Sequence, residues 1–118
     1  MTVQECYKAV NGNYEEALGR MMKDELIKKF LIKFLNDQSF NRLCDAMEAK
    51  DYEQGFKEAH TLKGVSGNLA LTGLFKASDK LTEDLRDGKG SENSQAYMEE
   101  TKREYEIVKA AIDELQNL

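Results

Sequence analysis

The sequence predicts an all-α fold, an antiparallel up-and-down four-helix bundle with one or two extra N-terminal helices. Three observations predict it. The 118 residues contain no proline, where average usage of about 5% would place about six, and turn-rich β architectures use proline and glycine as punctuation. The chain is rich in Glu, Lys, Leu and Ala, residues that favour helix. Apolar side chains recur at intervals of three and four through most of its length, the period of a helix with one buried face. A chain of this length forms one domain, and folding removes roughly two thirds of its unfolded surface from water.

The elements follow in order. Asn11-Gly12 ends a short first segment. Asn13 opens a helix, with Glu16 three residues on in capping-box position. Leu18, Met22, Leu26, Phe30 and Phe34 recur at fours, with Ile27, Leu31 and Leu35 beside them, as one wide apolar stripe. Lys23-Asp24 is where that stripe would divide into two helices, and Asn36-Asp37 stops it. These N-terminal helices, about residues 1–36, would lie across one end of a bundle spanning about residues 38–118. The bundle's first helix runs from about Gln38 to Lys50 and carries Phe40, Leu43 and Met47. Asp51 caps the second, with Gln54 completing a box, and Tyr52, Phe56, Ala59, Leu62, Val65 and Leu69 form its apolar set to about Ala70. Thr72-Gly73 reads as a tight turn. Leu74, Ser78, Leu81 and Leu85 give the third helix, which Gly88-Lys89-Gly90 ends by left-handed capping. Ser91 is positioned to cap the last, along which Met98, Thr101, Tyr105, Val108, Ile112 and Leu115 alternate by threes and fours. Short connections make successive helices antiparallel neighbours.

Composition excludes several function classes. A net charge of −5 argues against a nucleic-acid binder, whose affinity rests on neutralising phosphates. The most apolar run, Leu26–Leu35, is interrupted by Lys28, Lys29 and Lys33, so no membrane span is expected. The opening MTVQECYKAV lacks a basic n-region and an apolar h-region, so no secretory leader is expected either. Cys6 and Cys44 show no C-x-x-C spacing and read as free, buried thiols of a reducing, cytoplasmic compartment. The run Glu99–Glu104 reads as a solvated helix face, and Met21, Met22, Met47 and Met98 as core filler. One histidine and two distant cysteines are too few for a zinc site. A di-iron bundle needs two Glu-x-x-His motifs, whereas residue 57, three before His60, is lysine. No metal or cofactor is expected on the chain.

One segment does not fit a plain bundle helix. Ala59-His60-Thr61-Leu62-Lys63-Gly64-Val65-Ser66-Gly67 carries two glycines inside a helix, each costing about 1 kcal/mol relative to alanine. At about 100° per residue, Gly64 falls about 40° to one side of His60 and Gly67 about 20° to the other. Lys63 lies one turn away, within side-chain reach. The imidazole therefore stands over two turns bare of side chains, with a cation leaning in. Bland readings compete: a structural histidine, glycines marking a close helix crossing, a solvated lysine. Yet an exposed imidazole is mostly neutral at pH 7 and nucleophilic. A phosphoryl group on it would be stabilised by Lys63 and, one turn upstream, by Lys57. Bare glycine surface would admit a second protein's active site.

The motif H-x-x-K-G-x-x-G at His60–Gly67 resembles the signature of histidine-containing phosphotransfer (HPt) domains, carriers in multistep two-component phosphorelays. Asn68-Leu69, Leu74 and Leu81 downstream, and Phe34, Leu43, Ala46, Asp51 and Phe56 upstream, are similar to the family's pattern. The resemblance is strong over about residues 30–88 and diffuse elsewhere. Ala70, where many members have glycine, and Val65, bulkier than the usual Ala or Ser, depart from it. The resemblance implies one HPt-like domain over residues 1–118, with His60 phosphorylated on Nε2, Lys63 and Lys57 stabilising the phosphoryl group, and Gly64 and Gly67 giving steric access. Glu53, Lys57, Thr61, Asn68 and Leu71 would rim a docking face. The implied protein is a carrier and no enzyme: it lacks a nucleotide loop of either the G-x-x-x-x-G-K-[ST] or the kinase type. It would accept a phosphoryl group from a receiver-domain aspartate of a hybrid histidine kinase or response regulator and pass it to another receiver. The magnesium would sit on the receiver. A monomer is expected. The alternative is a helical interaction module that binds receivers or other signalling partners without being phosphorylated.

Overall fold

The computed structural model describes residues 1–117, which form seven helices and no strand. Three short helices come first, where the sequence predicts one or two: α1 (Val3–Ala9), α2 (Tyr14–Met21) and α3 (Asp24–Phe34). The four bundle helices are α4 (Ser39–Glu48), α5 (Tyr52–Asn68), α6 (Thr72–Leu85) and α7 (Ser94–Gln116).

Local chemistry sets most boundaries. Thr2 and Glu5 close a full capping box on α1, their backbone N–H groups each donating to the other's side chain at 2.8 and 3.0 Å. Asn13 Oδ1 accepts from Glu16 N at 3.0 Å, and Asp51 Oδ1 accepts from Gln54 N at 3.1 Å. Gly88 and Gly90, with φ of +77° and +69°, supply the left-handed backbone after α6.

Three expectations are corrected. First, the stripe of fours from Leu18 to Phe34 is not one face. The chain passes through a left-handed residue at Met22, φ +71°, and the helical phase restarts at Asp24. Ile27, Leu31 and Phe34 therefore face the core, while Met22, Leu26 and Phe30 are 80%, 40% and 41% exposed. Second, Thr72 and Gly73 are the first residues of α6 rather than a turn. The reversal is made by Leu69–Leu71, where Ala70 takes φ +55° and Leu71 N donates to Ser66 O at 2.9 Å. Glycine carries no Cβ cost in that conformation, so Ala70 holds a backbone shape that glycine adopts more cheaply. Third, Asn93, not Ser91, stands at the N-cap of α7. Ser91 Oγ instead accepts from Asn93 N at 3.1 Å and, with Ser94, donates to the Asp84 carboxylate, fastening the loop to α6.

The core joins the faces of the four long helices through fully buried Leu43, Leu62, Leu74, Leu81, Leu85, Val108 and Ile112. Helix α5 packs between α4 and α6, and α6 on α7. Tyr105 of α7 stacks on Phe40 of α4 at 3.8 Å between ring centroids. Two buried hydroxyls of α6 are satisfied within that helix: Ser78 donates to Leu74 O at 2.7 Å and Thr82 to Ser78 O at 2.6 Å. The N-terminal helices are tied to the α5–α6 turn, at one end of the bundle. Tyr7 donates its hydroxyl to Leu69 O at 2.7 Å, Asn13 N donates to Ala70 O at 2.9 Å, and Gly73 N to Asn11 O at 3.3 Å. Both cysteines are free; Cys6 is buried, and burial pushes its thiol up to about 11, while Cys44 is only half-buried. No helix is long and apolar enough to cross a membrane among the described residues.

Candidate functional site

Helix α5 presents the imidazole of His60 to solvent on the face away from buried Ala59 and Leu62. One turn back, the Phe56 ring stacks against it, with centroids 5.9 Å apart and planes 20° from parallel. The Arg86 guanidinium lies 5.2 Å from the Phe56 ring centroid and is held by Glu83 through hydrogen bonds of 3.1 and 2.7 Å. These bonds hold the Glu83 carboxyl below the usual carboxylate range, and the charges of Lys63 and His60 act in the same direction. The helix thus offers an exposed imidazole lying nearly parallel to an aromatic neighbour.

One turn forward, Lys63 leans toward α6 and forms an ion pair with Asp79, Nζ to Oδ1 2.8 Å. Its ammonium also lies 6.0 Å from the centroid of Phe75. Lys63 is therefore no freely solvated charge. The two glycines differ. A Cβ at Gly64 would meet no atom within 4 Å, whereas one at Gly67 would come within 3.0 and 3.1 Å of Phe75 Cδ1 and Cε1. Gly64 is open surface beside the imidazole. Gly67 is a close approach of α5 to α6 and also lines the same cleft.

That cleft gathers His60, Lys63, Gly64, Gly67 and Asn68 from α5 with Glu16 and Arg20 from α2 and Phe75 and Lys76 from α6. Three cations face one carboxylate there, in a chain of net charge −5. Arg20 donates to Gly67 O at 2.6 Å and Asn68 O at 3.1 Å and pairs with Glu16. It thereby adds a donor to the last carbonyls of α5, of which Gly67 O also accepts from Ala70 N at 3.1 Å, and places a cation where the helix dipole is negative.

The remaining rim residues divide. Glu53, Lys57 and Thr61 lie on α5 outside the cleft, all three exposed; Thr61 donates its hydroxyl to Lys57 O at 3.0 Å. Leu71 is corrected: it is 1% exposed, because the turn at Ala70 folds it inward at the start of α6, and it offers nothing to a partner. Sequence reasoning missed Arg20, Asp79 and Lys76, which reach the cleft or its lysine from other helices; no spacing within α5 points to them. Among the described residues, no group of three or more His, Cys, Asp and Glu is placed to hold a metal ion.

The open surface at Gly64 has a thermodynamic consequence. Gly64→Ala adds a methyl group that clashes with nothing and removes the entropic cost of a mid-helix glycine. It is expected to raise stability by about 0.5–1 kcal/mol, read as a higher urea midpoint. A midpoint unchanged or lowered would show that the site is constrained in a way the open space does not reveal.

A family model described as Hpt domain matches residues 29–118, more than two thirds of the chain, beginning inside α3 and leaving α1 and α2 outside it. No curated protein and no solved structure shows a match.

Proposed function

The chain belongs to the Hpt domain family, and from that premise we propose that it is a phosphorelay intermediate that carries its phosphoryl group on Nε2 of His60. Hpt domains are phosphocarriers of two-component phosphorelays, work with receiver domains and are not kinases. The observation that carries the reading here is an exposed imidazole at the edge of a cationic cleft, beside a helix turn that Gly64 leaves bare.

The chemistry is a displacement at phosphorus. The Nε2 lone pair attacks the phosphorus of a receiver's aspartyl phosphate, the P–O bond to the aspartate breaks, and its electron pair leaves on the aspartate carboxylate. Nδ1 keeps its proton. The reverse displacement hands the group to a second receiver. Such transfer needs alignment and charge neutralisation rather than covalent help. Phe56 aligns the ring, and Lys63 and the field of Lys57 neutralise charge. Magnesium and the acceptor aspartate come with the receiver. Gly64 and Gly67 keep the approach open, with Glu53, Thr61 and Asn68 toward its edge. The exposed side chain of Phe30 extends this surface across Asn68, which borders both the cleft and the hollow beside Phe30. Which receivers these are, and which one donates, is a matter for the partners' own specificity.

The test is incubation with phosphorylated receivers from the same organism. The protein is expected to acquire phosphate that is acid-labile and alkali-stable, as a phosphoramidate bond is. No transfer from any native receiver sinks the carrier reading, and receiver binding without transfer would favour an interaction module.

A further inference from the structure

The ion pair between Lys63 and Asp79 raises a question that the carrier chemistry leaves open. Lys63 is the cation nearest in sequence to His60 on the cleft side of α5, yet its ammonium is already engaged, 2.8 Å from a carboxylate on α6. The pair is partly sheltered, with side-chain exposures of 26% for Lys63 and 41% for Asp79. Lys63 lines the cleft and Asp79 does not, so the contact draws the ammonium toward the cleft's α6 edge. The neighbouring carboxylate on α6, Glu83, is paired with Arg86 instead.

We propose that Asp79 is a positioning residue, a resting-state counterion for Lys63 that competes with the phosphoryl group and so sets how firmly the carrier holds it. The inference rests on the phosphocarrier reading above. A phosphoryl group on His60 brings more negative charge to the cleft than one carboxylate. An ammonium has three donors, so Lys63 can turn from Asp79 to the phosphoryl oxygens without leaving its place. Every phosphorylation then breaks or weakens one ion pair, and every release restores it. A carrier must give up its group as well as accept it, and Asp79 favours the giving up. The residue is four positions after Phe75, whose ring lies near the same ammonium, so one face of α6 sets both the apolar and the ionic surroundings of Lys63.

The experiment labels His60 with the small donor phosphoramidate: the imidazole nitrogen attacks phosphorus, the reagent's P–N bond breaks, and ammonia leaves. Protein labelled by a receiver and separated from it serves equally. The half-life of the phosphohistidine is then followed by ³¹P NMR in the wild type, in Asp79→Asn, in Lys63→Ala and in the double variant, with circular dichroism confirming the fold of each. Asp79→Asn is expected to lengthen the half-life about two- to fivefold, the scale of a partly exposed ion pair. In the Lys63→Ala background the same change should have little effect. A half-life indifferent to Asp79, or an equal lengthening without Lys63, overturns the proposal while leaving the carrier reading intact. Failure of His60 to take phosphate from either donor overturns both.

Discussion

His60→Gln yields a protein that folds like the wild type and takes up no phosphate from a phosphorylated receiver or from phosphoramidate. The structural half of this expectation rests on exposure: the imidazole lies outside the core, and its main neighbour is the Phe56 ring at 5.9 Å. Surface replacements away from packing and caps change stability by about 0.5 kcal/mol or less, so the denaturation midpoint should barely move. The chemical half rests on electrons. Glutamine matches much of the volume, but its amide nitrogen lone pair is delocalised into the carbonyl and does not attack phosphorus. The chain holds no second histidine to substitute, so the loss is complete rather than partial. Labelling with either donor, followed by acid and alkali treatment, checks it. Acid-labile phosphate retained on His60→Gln would place the acceptor on another residue and overturn the assignment.

What the sequence revealed and what it hid divide along one physical line. Features set within a single helix were legible. His60, Lys63 and Gly64 share one helix, so a rotation of about 100° per residue is enough to place them on one surface. The caps at Asn13 and Asp51 are three-residue events and form as expected, although neither Glu16 nor Gln54 returns the reciprocal bond; Glu16 turns to Arg20 instead. Features that depend on how helices meet were not legible. Asp79 reaches Lys63 only through the register of α6 against α5, and Arg20 reaches Gly67 O across 47 residues of sequence. Met22 broke the apolar stripe because one left-handed residue reset the helical phase, an event that spacing counts treat as continuous. The reversal falls at Leu69–Leu71 rather than at Thr72-Gly73, and the positive φ at Ala70, a residue with no strong preference for it, carries the expected rim residue Leu71 into the core.

The motif alone also treated its two glycines as equivalent, and the structure separates them. Gly67→Leu is expected to destabilise the protein, whereas Gly64→Leu is not. At Gly67 the new Cβ would lie 3.0 and 3.1 Å from the Phe75 ring, tighter than ordinary van der Waals contact, and the rest of the side chain must enter the same α5–α6 seam. Overpacking of this kind costs about 1–3 kcal/mol, against about 0.8–1 kcal/mol regained by removing a mid-helix glycine. The net is a loss of up to about 2 kcal/mol at Gly67 and a gain at Gly64, where nothing lies within 4 Å. Function separates the two as well. The Phe75 ring lies 6.0 Å from the Lys63 ammonium, so forcing it aside disturbs the cation as well as the seam, and Gly67→Leu should label poorly even with phosphoramidate. Gly64→Leu leaves Phe75 in place but fills the open surface beside the imidazole; it should label normally with phosphoramidate and fail with a receiver, whose own active site no longer reaches the ring. Urea denaturation of both variants with labelling by both donors reads all of these outcomes. A Gly67→Leu protein as stable as the wild type would show that Phe75 yields freely and that Gly67, like Gly64, is there for access alone.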